Sequence, residues 1–256
     1  MPPRKRPHDL LKAMAFPIHP FDEIHEVDTS GLVPSGHLAT GHRNDEHITA
    51  YYAVAPSILR KLIEHWRETI PPHPIHSYTF LDIGCGKGRA VLIASELGFR
   101  KIIGVELNPQ MAAIAHANAR HWQRAHTADA TAPRLAPIEI VEQDALDYTF
   151  PDTPTLLFLF HPFEAPVLKS LIRRIEMQFA KRPGTLDVVY VNAECAHLLD
   201  DHPAFMRLFR GHINMSPEDH AADLEAIAQQ KEYGSTGDEE CAIYRYTGRS
   251  AKRSPA

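Results

Sequence analysis

The residues with the clearest chemical meaning form a glycine-rich turn. After a short apolar run the chain reads Asp82-Ile83-Gly84-Cys85-Gly86-Lys87-Gly88. Glycines at alternate positions let the backbone bend sharply and approach a ligand where a Cβ would collide. Glu106 ends the next apolar run, where its carboxylate can accept both hydroxyl groups of a ribose. Alone, each motif is as often a purely structural feature, a tight turn or a charged strand end, as it is part of a binding site. Together, on neighbouring strands, the two motifs predict a nucleoside site.

The spacing and charge of this turn distinguish between nucleosides. A P-loop requires Ser or Thr after its lysine, whereas Lys87 is followed by Gly88. A dinucleotide site requires G-x-G-x-x-G with the pyrophosphate at the helix N-terminus, whereas the pattern here is G-x-G-x-G. Asp82 would repel a pyrophosphate but can anchor a cationic amino acid. S-adenosylmethionine carries an ammonium, a sulfonium and no phosphate, so the charges favour it as the cofactor.

The elements that position the turn alternate between strands and helices. Apolar periodicity predicts strands at 78–83, 101–106, 138–141, 155–160, 187–191 and 241–246. The run 155–160 is apolar at every position but its first, which is typical of a central parallel strand covered on both faces. Helices are predicted between successive strands, with short connections. This alternation predicts a doubly wound α/β sheet.

Sequence signals at helix ends add detail to this pattern. A helix begins at Pro56 with an apolar stripe along one side, and Asn108 caps another. Ser216 is expected to cap a late helix that runs to about Gln230. The segments 125–137 and 234–240 are predicted to be loops, and 10–16 a short helix.

Bulk properties exclude several classes of protein. The chain has 256 residues and a formal net charge of −5, which argues against nucleic acid as a partner. Its three cysteines are scattered without a CxxC pair, which indicates a reducing compartment and no zinc site. His37, His42 and His47 recur too widely for a usual metal site, so we expect no metal. No apolar run has the length of a membrane span, and we expect a cytoplasmic protein.

With these motifs in place, residues 80–106 resemble the first two signature motifs of class I S-adenosylmethionine-dependent methyltransferases. Gln143-Asp144-Ala145 resembles the family's adenine motif and Phe160-His161-Pro162-Phe163 its substrate-side motif. The resemblance covers about residues 50–195 and implies a Rossmann-like, doubly wound seven-stranded sheet whose antiparallel last strand is 241–246, plus an N-terminal cap. The residues it implies at the cofactor are Asp82, Gly84, Cys85, Gly86, Gly88, Glu106, Leu107, Asp144, Ala145 and His161.

A closer subgroup of bacterial small methyltransferases, some faintly similar to histone-lysine methyltransferases, shares the Lys-Gly-Arg that follows the turn. Its Tyr…Pro-Thr element, expected at the methionine carboxylate, resembles Tyr51, Tyr52, Pro56 and Ser57 with altered spacing. The resemblance therefore places Tyr51 and Ser57 at the cofactor. The altered spacing leaves open which of the two tyrosines takes that role. Tyr52 is the candidate for a role in catalysis.

The subgroup also has an element similar to the segment 21–31, upstream of the main domain. If this element folds over the cofactor as a lid, Asp28, Thr29 and His42 are candidates to line the acceptor site. The alternative is a packing strap without a role in binding.

His161 is the candidate catalytic residue. Methyl transfer from a sulfonium is an in-line displacement that mainly requires alignment and exclusion of water, and a base is needed only if the acceptor must lose a proton. Subgroup members usually carry Asn here, whereas a histidine with an ordinary pKa of ~6.5 can accept a proton. His161 is predicted to orient or deprotonate the acceptor, which favours a hydroxyl or another acidic acceptor. The alternative is that it only hydrogen-bonds a loop carbonyl.

The sequence thus predicts an N-terminal extension or lid at 1–50, a methyltransferase domain at 51–248 and a flexible tail at 249–256. The predicted activity is transfer of a methyl group from S-adenosylmethionine to an O or N acceptor on a small molecule or peptide-like substrate. The alternatives are an NAD-dependent oxidoreductase, disfavoured by the glycine spacing, and a protein that binds the cofactor without catalysis. The oligomeric state stays open.

Overall fold

A computed structural model describes residues 18–128, 134–228 and 235–248 and shows a seven-stranded sheet with helices on both faces. The strands are β1 (Thr79–Ile83), β2 (Lys101–Glu106), β3 (Ile138–Glu142), β4 (Thr155–Phe160), β5 (Leu186–Val191), β6 (Phe205–Asn214) and β7 (Asp238–Tyr246). The helices are α1 (Pro20–His25), α2 (Ser35–Leu38), α3 (Pro56–Glu68), α4 (Arg89–Ser95), α5 (Pro109–Ala128), α6 (Ala165–Phe179), α7 (His197–Asp200) and α8 (Pro217–Ile227). Two 3₁₀ turns, Asp45–His47 and Ile75–Ser77, complete the described elements.

The strand order is β3-β2-β1-β4-β5-β7-β6. Strands β1 to β5 are parallel, and β7 runs antiparallel to its neighbours β5 and β6. The chain reverses its direction of winding between β1 and β4, and ligands of such sheets bind at the carboxyl ends of the strands at that point. The predicted doubly wound sheet with an antiparallel last strand is confirmed.

The hydrophobic core lies on both faces of the sheet. On one face β1, β2 and β4 pack against α3, α4 and α5, and on the other they pack against α6. The helix predicted from Pro56 is confirmed, and its apolar stripe is fully buried: Ile58, Leu59, Leu62, Ile63 and Trp66. The caps are also confirmed, because Asn108 Oδ1 accepts the N–H groups of Gln110 and Met111 and Ser216 Oγ accepts that of Asp219.

Some predictions of secondary structure need correction, and others fall outside the residues that the structure describes. Strand β6 was not predicted, because it is largely exposed and its apolar alternation is interrupted by polar residues. The loop predictions for 125–137 and 234–240 are wrong in part, since α5 continues to Ala128 and β7 begins at Asp238. The predicted helix at 10–16, the tail at 249–256 and the end of the late helix at Gln230 lie outside the described residues.

A buried charge connects the end of α3 to β5 and β7. The Asp187 side chain is fully buried and accepts hydrogen bonds from Trp66 Nε1 at 2.8 Å and from Arg245 Nε at 2.8 Å. Arg245 Nη2 donates to the same carboxylate at 3.0 Å, which makes the pair bidentate. This contact lies at the amino ends of the parallel strands, opposite the edge where a ligand is expected, so it stabilises the fold without entering the site.

Replacing Asp187 with alanine should therefore destabilise the protein strongly. The change leaves the partly buried Arg245 guanidinium without its counter-charge, which costs about 3 kcal/mol of unfolding free energy. Urea denaturation measures this loss. The matched control is Asp152→Ala, since that exposed carboxylate lies 3.9 Å from Arg182 and should contribute less than about 0.5 kcal/mol. Equal stability of the two variants would contradict the assignment.

Candidate active site

A cavity opens at the carboxyl ends of β1, β2, β3 and β4, where the winding of the sheet reverses. Its floor is the glycine turn after β1, and its sides come from the ends of β2, β3 and β4. The outer wall is the segment 18–52, which we call the N-terminal strap. The predicted residues that line this cavity are Tyr51, Tyr52, Asp82, Gly84, Cys85, Gly86, Glu106, Leu107, Asp144 and Ala145.

Two glycines of the turn are required by close contacts. Gly86 has φ +54°, and a Cβ there would lie 2.2 Å from Cε2 of Tyr51. Gly84 has φ +75°, and its Cβ would lie 2.6 Å from the Cβ of Pro162. Both positions favour glycine by conformation and by space. The turn therefore lets Tyr51 and Pro162 close the cavity from opposite sides.

Asp82 brings to the cavity a carboxyl that has no hydrogen-bond partner among the described residues. The residue is only 3% exposed. Burial, with a smaller effect of Glu106, raises its pKa well above the usual range. Buried polar groups in proteins are nearly always hydrogen-bonded. A cationic group bound beside Asp82 would satisfy the carboxyl and restore its charge.

Glu106 and Asp144 stand at the ends of β2 and β3 on one side of the turn. The Glu106 carboxylate accepts the N–H groups of Gly86 and Asn108, each at 2.8 Å. Burial raises the pKa of Glu106, while these hydrogen bonds oppose the shift. Asp144 accepts the N–H of Leu146 at 2.8 Å. Both carboxylates are held by backbone groups, so their oxygens have fixed positions on this side of the cavity.

The strap is fastened to the glycine turn by buried polar contacts. Asp22 accepts the N–H groups of Thr29 and Ser30, each at 2.6 Å, and also their hydroxyls. Lys87 Nζ donates to Asp28 at 2.7 Å and to the Ser30 carbonyl at 2.7 Å. Asp28 and Thr29, considered as acceptor-site residues, are thus engaged in packing and are not among the residues that line the cavity.

Arg89 is a cavity residue to which the sequence assigned no role. It is 4% exposed and lines the cavity, while its Nε donates to Thr29 Oγ1 at 2.7 Å. Its Nη2 lies 3.7 Å from Asp22 Oδ1. The Lys-Gly-Arg pattern could have drawn attention to Arg89. The sequence does not indicate, however, in which direction the side chain of a helical arginine after the turn extends.

The two neighbouring tyrosines have different partners. Tyr51 packs on Gly86 and donates its hydroxyl to the Thr29 carbonyl at 2.6 Å. Tyr52 donates its hydroxyl to Oδ1 of Asp223, on α8. Burial and the Asp223 charge raise the pKa of Tyr52 above its usual range, so the tyrosine is protonated at neutral pH. Both residues line the cavity.

His161 and Ser57 are placed differently from what the sequence suggested. His161 follows β4 in a left-handed conformation with φ +38°, and its ring faces β5, with Nδ1 3.1 Å from the Tyr190 hydroxyl and Nε2 3.5 Å from Glu194. It is not among the residues that line the cavity. Ser57 Oγ accepts the N–H of Ser216, so this serine joins α3 to the start of α8.

The histidines of the strap are paired with carboxylates. His42 Nε2 lies 3.4 Å from Asp144 Oδ2, and His47 Nδ1 lies 3.2 Å from Glu164. Within the ranges that the structure covers, no group of three His, Cys, Asp or Glu side chains is arranged to hold a metal ion. These contacts fix the strap across the cavity, from the end of β3 to the start of α6.

Comparison with known proteins finds a family model that matches the part of the chain around the cavity. Residues 80–177, well under half of the chain, match the family model described as a methyltransferase domain. No curated protein matches the chain. The match covers β1 to most of α6 and therefore includes the glycine turn, Glu106 and Asp144.

Solved structures similar to this chain are distant. A precorrin-6y C5,15-methyltransferase from Geobacter metallireducens is 14% identical, covers 76% of this chain and 93% of its own, and has a TM-score of 0.47. A magnesium protoporphyrin IX methyltransferase from Synechocystis, solved with bound S-adenosylmethionine, is 11% identical over 74% of this chain and 79% of its own, with a TM-score of 0.44. Such weak similarity carries no information on what this chain methylates.

Residues 80–177 are therefore similar to a methyltransferase domain, and they form the glycine turn and the neighbouring strands of the Rossmann-like sheet. The activity that this match indicates is methyl transfer from S-adenosylmethionine.

Gly86→Ala should disturb both the turn and the strap. A left-handed alanine costs roughly 1–2 kcal/mol, and its methyl group would collide with the Tyr51 ring, so we expect the unfolding free energy to fall by about 2 kcal/mol. Chemical denaturation measures the change. Gly36→Ala is the control, since nothing lies within 4 Å of its Cβ; unchanged stability of both variants would contradict the packing of Tyr51 on the turn.

The His161 ring should be neutral at pH 7. Burial lowers its pKa below the ordinary value, and the carboxylates of Glu194 and Glu164 only partly oppose this shift. An NMR titration of the ring should therefore give a pKa below ~6.5. Because the unfolded chain then binds the proton more readily, the contribution of His161 to stability should be lost as the pH falls through that ordinary value. A measured pKa above it would mean that Glu194 dominates.

Proposed function

We propose that this methyltransferase transfers the methyl group to an O or N acceptor on a small molecule or peptide-like substrate. The observation that carries the assignment of the site is Asp82, a buried carboxyl without a partner among the described residues, beside a glycine turn against which Tyr51 and Pro162 pack to close the cavity. The ammonium of the cofactor's methionine end fits this carboxyl. A pyrophosphate, by contrast, would be repelled by it.

The order of the strands supports one direction for the cofactor. Glu106 and Asp144 lie at the ends of β2 and β3, so we place the ribose at Glu106 and the adenine near Leu107, Asp144 and Ala145. The methionine end then lies over β1, where Asp82 receives the ammonium. We assign the methionine carboxylate to Arg89, because this buried arginine also lines the cavity.

The reaction itself needs little covalent assistance from the protein. The acceptor's lone pair attacks the methyl carbon while the carbon–sulfur bond breaks, and the sulfur keeps the electron pair. Alignment and exclusion of water are the main requirements of such a displacement. Apolar residues on the β4 side of the cavity meet the second requirement: Ile48, Phe160, Pro162 and Phe163.

We propose that the N-terminal extension, predicted as 1–50, is a fixed wall of the site and not a lid that opens freely. Phe21 is 7% exposed and lies within the hydrophobic core, with its ring centroid 5.8 Å from that of Trp122. Val33 forms a bridge with Tyr51, and Ile48 forms one with Phe163. A segment tied to the core in this way opens only at considerable cost, and the domain at 51–248 depends on it for a complete cavity.

We also propose a cytoplasmic location and an acceptor other than nucleic acid. The three cysteines are free and buried, as is usual in a reducing compartment. The net charge of −5 opposes binding to phosphate backbones. In the described part of the chain, no helix is long and apolar enough to cross a membrane.

Asp82→Asn tests the cofactor assignment. The change keeps the shape of the side chain but removes the charge that receives the ammonium, and a hydrogen bond to a charged group contributes about 1.5–3 kcal/mol. We expect the affinity for S-adenosylmethionine, measured by calorimetry, to fall by roughly 10- to 150-fold. Asp201→Asn, on the exposed surface beyond α7, is the control and should bind as the unmodified protein does. NAD⁺ should bind to neither, and undiminished cofactor affinity of Asp82→Asn would refute the placement.

A further inference from the structure

Tyr52 lines the cavity, and its hydroxyl proton is engaged by a buried carboxylate. Its hydroxyl donates to Oδ1 of Asp223, a side chain only 5% exposed. The other carboxylate oxygen, Oδ2, accepts the hydroxyl of Ser235 at 3.2 Å. With its proton engaged by Asp223, the Tyr52 oxygen can only accept a hydrogen bond from a ligand in the cavity. The ligand group beside it must therefore be a donor.

Of this pair only Tyr52 lines the cavity, and Asp223 stands behind it on the side away from the proposed nucleoside position. Glu106 and Asp144 stand on β2 and β3, on one side of β1, whereas α8 connects β6 and β7 on the far side of β4 and β5. A cofactor with its ribose at Glu106 and its methionine over β1 presents its sulfonium methyl away from β2. Tyr52 is thus on the side from which the acceptor must approach.

The charges around Tyr52 favour a cation. Asp223 is buried, and its pKa is raised because burial outweighs the hydrogen bonds that it accepts. Burial and the nearby Asp223 raise the pKa of Glu239 to about 7. Asp219 adds a third carboxylate to this group, while Arg89 is the opposing positive charge. A carboxylate or phosphate acceptor would be repelled here, whereas an ammonium group would be attracted.

Amine and alcohol acceptors differ in how readily they lose a proton. An alkyl ammonium loses its proton with a pKa of about 10, and a buried carboxylate can assist that loss. An alcohol holds its proton about as strongly as water does, with a pKa of about 16, which is out of reach of a carboxylate. Since the His161 ring faces β5, no described residue of the cavity offers an imidazole to an alcohol acceptor.

We propose that the acceptor is an amine, that its nitrogen donates a hydrogen bond to the Tyr52 oxygen, and that Asp223 takes up its proton through Tyr52. This inference rests on the proposed cofactor placement. The ammonium N–H passes its proton to Tyr52 as the Tyr52 proton moves to Asp223, which leaves a neutral amine. The nitrogen lone pair then forms the bond to the methyl carbon while the carbon–sulfur bond breaks. The products are the methylated ammonium and S-adenosylhomocysteine.

Sinefungin tests this inference without knowledge of the acceptor. In this analogue an amine-bearing carbon replaces the methyl-bearing sulfur, so its ammonium stands where the reacting groups meet. Calorimetry with the full-length protein should show that sinefungin binds at least about tenfold more tightly than S-adenosylhomocysteine. Tyr52→Phe and Asp223→Asn should abolish this preference and leave the affinity for S-adenosylhomocysteine within about twofold.

The structure contains a matched control pair outside the cavity. Tyr244 donates its hydroxyl to Asp200 at 3.0 Å, and neither residue lines the cavity. Tyr244→Phe and Asp200→Asn should keep the full preference for sinefungin, although both remove a tyrosine–aspartate hydrogen bond of the same kind. Retention of the preference in Tyr52→Phe and Asp223→Asn would overturn the inference.

Two further outcomes are distinguishable. If S-adenosylhomocysteine fails to bind the unmodified protein, the cofactor placement itself is wrong. If it binds and sinefungin has no advantage, the cofactor placement stands and the amine inference is refuted. Transfer of a labelled methyl group to 2-phenylethanol in preference to 2-phenylethylamine would also refute it, whereas the reverse preference, reduced at least about a hundredfold in Tyr52→Phe, would support it.

Discussion

The buried contact between Arg89 and the N-terminal strap connects the sheet, the glycine turn and the outer wall of the cavity. Arg89 begins α4 immediately after the turn, and its guanidinium reaches Thr29 and Asp22 in the strap. Asp22 in turn organises the strap by accepting hydrogen bonds from Thr29 and Ser30. Because removing one partner of a buried ion pair leaves the other charge uncompensated, this network has little freedom to rearrange. The cavity therefore has a defined outer wall.

The same network decides what the cavity can bind. Arg89 is partly committed to the strap yet lines the cavity, whereas the Asp82 carboxyl has no partner among the described residues. A ligand with both an ammonium and a carboxylate group complements the two. We propose that the methionine end of S-adenosylmethionine is such a group and that the carboxylates at the ends of β2 and β3 face its nucleoside. Fold, charge and family agree on the methyl donor.

The acceptor side is where the sequence was least informative. His161 drew attention because of its residue type and its position after β4, but a left-handed backbone there turns the ring toward Tyr190 and Glu194. Tyr52 was a candidate only through a resemblance with altered spacing, and its partner Asp223 lies 171 positions away in sequence. A short motif cannot report a hydrogen bond of that separation, because the bond exists only after β7 has inserted between β5 and β6 and α8 has packed against the strap.

The sequence alone was sufficient for the doubly wound sheet, for the glycine turn and for the methyl donor. Strand periodicity and the positions of Asp82, Gly86 and Glu106 arise within one strand–turn–helix–strand unit, so local spacing encodes them. It also predicted the antiparallel last strand, through the family resemblance. Only the tertiary structure decided that Asp28 and Thr29 pack on Lys87 and Arg89, that Ser57 joins α3 to α8, and that Tyr52 meets Asp223. These contacts join segments distant in the chain, and burial, which gives each of them its strength, is a property of the packed molecule.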